Sequence, residues 1–166
     1  MPAKARWTLE ISALPERGVE VAFGERGASV CGAWRRDVDP KTLSELSEAI
    51  LVSVARAARR GRAGGDGAQR LAAAGAALAD AVLPPPVKSA LANADPGASL
   101  TLTVDGELAA APWEAMVVGD GLLADLMDVG RRLTLPGMAP GRAGGDRRRI
   151  LIVADPAGDL PHARRE

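Results

Sequence analysis

The sequence is short of the residues that carry nucleophilic and acid–base chemistry at neutral pH. Its one cysteine, Cys31, excludes an internal disulfide framework and any cysteine-based zinc cluster within one chain, and it fits a reducing, cytoplasmic setting. Its one histidine, His162, is the only imidazole available as a general base or nitrogen ligand, and a single histidine builds no metal site by itself. Aromatic residues make up 2% of the chain, as Trp7, Phe23, Trp34 and Trp113. Stacking platforms for single-stranded nucleic acid need several exposed aromatics among basic residues, so that class drops out. Charge of one sign is also lacking: 21 basic residues balance 21 acidic ones, leaving no broad electrostatic footprint for nucleic acid or anionic lipid. No apolar run reaches membrane-spanning length, and the polar stretch from Met1 to Trp7 has no apolar segment of the secretory kind after it.

With so few aromatics, the core has to come from Leu, Val, Ile and abundant Ala. The chain is long enough to bury a sizeable core and fits one domain. Trp7, Leu9 and Ile11 alternate with Thr8, Glu10 and Ser12, the period-2 pattern of a half-buried strand. Val19, Val21 and Phe23 repeat it after a turn at Pro15 to Gly18. A third strand over Ala28 to Trp34 completes an antiparallel meander in residues 1–38. Residues 39–95 read as helical. Asp39 and Pro40 form an N-cap and first-turn pair, and Leu43, Leu46, Ile50 and Val54 mark one helix face up to Gly61. Arg56, Arg59 and Arg60 crowd the last turn of that helix, where they complement its dipole. Asp66 is placed to cap a second, alanine-rich helix through Leu71, Leu78 and Val82, which Pro84 to Pro86 terminate before a short helical stretch over Val87 to Ala94. Beyond Asp95, Pro96 and Gly97, strands are predicted over Leu100 to Val104 and Val129 to Leu135. The run Ile150 to Val153, apolar on both faces, predicts a central parallel strand.

Candidate chemistry is sparse. The hexapeptide GRAGGD occurs at Gly61 to Asp66 and again at Gly141 to Asp146, but a phosphate loop needs its glycines between a strand and a helix with Lys-Ser/Thr following, so both copies read as linkers. Cys31 sits in an alternating apolar stretch with no histidine nearby in sequence, which reads as a structural thiol. Asp105, Glu107 and Glu114 form the nearest carboxylate grouping. Asp155 follows a strand end, where open α/β sheets hold ligands, although capping the turn before Pro156 is the favoured account of it.

The stretch LTLTVDGELAAAPWEAM, Leu100 to Met116, resembles the opening signature of the CHAT domain, a caspase-like, separase-related cysteine peptidase family. Asp105, Gly106, Leu108, Pro112, Trp113 and Glu114 carry the match, with Met116 where leucine is common. Gly121 to Leu123, the strand through Arg131 and Leu135, and the block from Ile150 follow in the family's order. In that block Ala154, Asp155, Pro156, Leu160, Pro161, Ala163 and Glu166 match, and His162 replaces a small residue. The resemblance lies within residues 96–166, under half of the chain. After the antiparallel meander and the Ala-rich helical pair, it implies an α/β fold in which residues 96–166 are the incomplete N-terminal part of a CHAT domain, the start of a caspase-like parallel sheet that is truncated. In the family the catalytic His and Cys follow later strands, so neither Cys31 nor His162 takes a dyad position, and no catalytic, cofactor-binding or metal-binding residue is carried over.

Three functions follow as expectations. The first is a structural portion of a CHAT-type peptidase whose partner is the C-terminal part of the same domain, with no cofactor, nucleic acid or membrane involved. The second is a non-catalytic module that binds other proteins through the meander and helices. The third, an enzyme using Asp155 and His162, predicts turnover that falls when either is substituted.

Overall fold

A computed structural model describes residues 5–15, 17–25, 32–60, 65–95 and 97–134. Alternation builds the first strands as expected: β1 (Arg6–Ala13) pairs antiparallel with β2 (Val19–Glu25), setting Leu9 opposite Phe23 and Ile11 opposite Val21. Trp7 stacks on Phe23 with ring centroids 5.0 Å apart. The connecting turn closes through Leu14 N–H to the Gly18 carbonyl at 3.1 Å. Gly18 has φ +97°, and a Cβ there would lie 2.2 Å from the Arg36 carbonyl oxygen, so only glycine fits. β3 (Gly32–Arg36) adds antiparallel to β2, which completes the meander.

The meander does not stand apart. β4 (Ser99–Asp105) runs parallel to β1, with Leu102 beside Leu9 and Val104 beside Ile11. β7 (Asp128–Thr134) runs parallel to β4, and the sheet order is β3-β2-β1-β4-β7. The class is α/β, as expected. One face of this sheet carries Leu9, Ile11, Val21, Phe23, Leu102 and Val104, all buried. The other carries Thr8, Glu10, Ala33, Arg35 and Thr101, all exposed. Because only one face is apolar, the helices share that face and the architecture has two layers. Each fully buried Leu or Ile contributes roughly 1.5–3 kcal/mol to holding them there.

Between β3 and β4 come α1 (Pro40–Arg60), α2 (Gly65–Val82) and α3 (Pro85–Ala92). Asp39 caps α1 as predicted, its Oδ1 accepting from Lys41 N–H at 2.8 Å. Leu43 and Ile50 are buried, but Val54 is 46% exposed, against the expectation that it continues the core face. Its helical phase is right; from Leu51 to Arg56 the helix runs beyond the buried core. α2 begins at Gly65, so Asp66 lies within the helix and not before it at the cap. Pro84 and Pro85 start α3 as much as they end α2, Pro84 standing at its N-cap. Arg36 on β3 donates to the carbonyls of Asp80 at 2.9 Å and Ala81 at 3.3 Å, pinning the last turn of α2 to the sheet. Gly61, Leu135 and the run Ile150 to Val153 lie outside the described residues, as does Ala28 to Cys31 of the expected third strand.

Candidate functional site: the corner after β4 and the cleft beside it

The residues Asp105 to Met116 form a corner, and the side chains of Asp105, Trp113 and Glu114 each have a partner in it, while Glu107 has none among the described residues. The Asp105 carboxylate accepts from Ala13 N–H at 2.8 Å, which joins the carboxyl ends of β4 and β1. Gly106 to Leu108 make a 3₁₀ turn, and Gly106 takes no positive φ, so the turn does not use a glycine's freedom. Pro112 precedes a second 3₁₀ turn over Trp113–Ala115. Trp113 is fully buried and donates from Nε1 to the Leu108 carbonyl at 2.9 Å, so the ring anchors both turns at once. Met116 is also fully buried, and its carbonyl accepts from Leu123 N–H at 2.8 Å. That bond holds a short hairpin of β5 (Val117–Val118) and β6 (Gly121–Leu122), followed by α4 (Leu123–Leu126).

Two residues outside the motif complete the corner. Arg131 on β7 donates from Nε to Glu114 Oε1 at 2.8 Å, pairs through Nη2 with Glu114 Oε2, and donates to the carbonyls of Ala109 at 2.7 Å and Ala111 at 3.0 Å. This planar fork is a task lysine cannot copy. Sequence reasoning missed that role, yet a signal was there: Arg131 falls in phase with Val129 and Leu133, a charge on the apolar side of its strand. Gly75 on α2 is the second. A Cβ on it would meet the Ala115 carbonyl oxygen at 2.2 Å, so the helix rests directly on the backbone of the second turn.

A cleft of about 400 Å³ opens beside this corner, at the carboxyl ends of β1 and β4. It lies beyond the carboxyl ends of two neighbouring parallel strands, the side on which open α/β sheets place ligands. Val19, Val38, Leu43 and Leu108 give it an apolar lining. Its polar groups are largely engaged: Arg17 pairs with Asp37 at 3.0 Å and Asp39 at 3.3 Å, and the Ser47 hydroxyl donates to the Leu43 carbonyl at 2.7 Å. Glu107 is exposed at its edge. Such a cleft can hold an apolar group, and the described residues that line it pair no nucleophile with a base.

The carboxylates Asp105, Glu107 and Glu114 therefore do not converge for acid–base work, since two of them are committed to Ala13 and Arg131. Among the described residues no group of acidic, Cys or His side chains could hold a metal ion, and no helix is long and apolar enough to cross a membrane. The first GRAGGD copy follows a helix, α1, instead of a strand, and its last two residues, Gly65 and Asp66, belong to α2. Cys31, Asp155, His162 and the second copy lie outside the described residues. Comparison with known proteins finds no matching family model, curated protein or solved structure.

Proposed function

We propose that this chain is the structural portion of a CHAT-type, caspase-like cysteine peptidase of the cytoplasm, providing scaffold to a C-terminal part that carries the His/Cys dyad. The observation that carries the reading is the state of β7. It lies parallel to β4 at the end of the sheet, its outer side pairs with nothing among the described residues, and six of its seven residues are exposed. A parallel edge of this kind is a template for a further strand. The motif residues add support, because Asp105, Trp113 and Glu114 all serve to brace the corner between β4 and β7, which is a scaffold's task.

The test is to assay the chain alone, and mixed with the segment encoded directly after Glu166, for peptide hydrolysis and for mass by light scattering. The expected result is no cleavage alone, and an equimolar complex that hydrolyses peptides and is silenced by a thiol alkylator. A mixture that neither associates nor cleaves overturns the proposal and leaves the non-catalytic binding module as the better reading.

A further inference from the structure

Five large apolar side chains are exposed among the described residues, and three of them, Leu51, Val52 and Val54, sit within one turn of α1. Val54 keeps to the phase of the buried face, whereas Leu51 and Val52, with exposed Ala55, form a small apolar patch on the side of the helix away from the core. By helical phase Val52 lies opposite buried Leu43 and Ile50, and it is 38% exposed against 53% for Leu51. Glu48 and Arg56 stand four residues before and after Val52, so the three recur along a single stripe of the helix, with Leu51 and Ala55 beside it. All five are exposed. Neither Glu48 nor Arg56 forms an ion pair within the described residues, whereas Lys41 and Glu45 one turn earlier already pair with each other at 3.8 Å.

The order acidic, apolar, basic is self-complementary under a two-fold axis. Turning a second copy of the helix antiparallel about Val52 sets the two valines against each other. It also places Glu48 of each copy beside Arg56 of the other. A contact of this kind is isologous and closes on itself as a dimer. We infer that the exposed stripe Glu48, Val52 and Arg56 of α1 is a homodimer interface, in which a second copy of this chain covers Val52 and Leu51 and the two charges pair across the axis. One helical stripe is far smaller than a standard interface, so the dimer is weak, with Kd on the order of 100 μM.

Sedimentation equilibrium of the full chain over a concentration series tests this. The expected result is a monomer–dimer equilibrium that weakens about tenfold or more in Glu48→Arg and again in Arg56→Glu, since each reversal sets like charges together twice per dimer. The double variant carrying both reversals restores the original equilibrium. Circular dichroism melts of all three variants should coincide with the parent's, which separates loss of the interface from loss of the fold. A chain that stays monomeric at every concentration overturns the inference. So does association that the single reversals leave unchanged, which would run through another surface such as the edge of β7.

Discussion

Replacing Arg131 by alanine should cost much more than replacing the carboxylate it pairs with. If the Arg131–Glu114 pair were all that mattered, its partial exposure would hold it to the modest worth of a surface ion pair, about 0–1 kcal/mol, because the two side chains are 26% and 34% exposed and water screens them. Glu114→Ala should therefore cost about 1 kcal/mol. Arg131 does more, since it also donates to the carbonyls of Ala109 and Ala111, the second of which belongs to a buried residue. Losing the guanidinium strands those two acceptors and leaves Glu114 without its partner. With hydrogen bonds from charged donors at roughly 1.5–3 kcal/mol when well shielded, and a discount for exposure, Arg131→Ala should cost about 2–3 kcal/mol. Arg131→Lys should fall between the two, because an ammonium cannot span the fork. Urea unfolding followed by tryptophan fluorescence measures all three, and Trp113 reports from within the corner itself. If Arg131→Ala and Glu114→Ala agree within about 0.5 kcal/mol, the carbonyl bonds contribute nothing and the bracing of the corner by β7 is refuted.

Two further substitutions probe the same corner. Gly75→Ala would stabilise an exposed helix by about 1 kcal/mol, but here the added methyl meets the Ala115 carbonyl, so thermal melts should show a loss of about 1–3 kcal/mol; a rise in Tm would mean that α2 does not rest on the second turn. Asp105→Ala should destabilise by about 1–2 kcal/mol in urea by orphaning Ala13 N–H, whereas Asp105→Asn, which keeps an acceptor, should recover at least half of that, and equal losses would show that the bond between the ends of β1 and β4 is immaterial.

Local pattern made most of the elements legible. The alternation at Trp7 to Ile11 and Leu100 to Val104, the cap at Asp39 and the prolines after Val82 each act within a few residues, and strands and helices formed where those signals stood. What could not be read were relations between distant parts. Period-2 alternation predicts that Leu9 faces a core but not that Leu102 is its neighbour, because pairing partners are chosen by the whole chain. Val54 shows the same limit from the other side: its phase on the helix was plain, while the length of core beneath α1 was not. At the corner, Trp113 and Asp105 announced a packed turn, yet the clamp came from Arg131, which is 17 residues from Glu114 and drew notice only as part of a strand. The β5–β6 hairpin escaped because two-residue strands leave no periodicity to detect.

Among the described residues one face of the sheet is uncovered, and that sets how an assembly built on them can grow. Thr8, Glu10, Arg35 and Thr101 already have water for company, so stacking another layer on them would strip polar groups of hydration and gain little apolar burial in return. The plate can be widened but not thickened. New mass has to arrive sideways, strand by strand, and each addition must bring its own apolar underside and its own roof of helix, or that stretch of the plate stays bare.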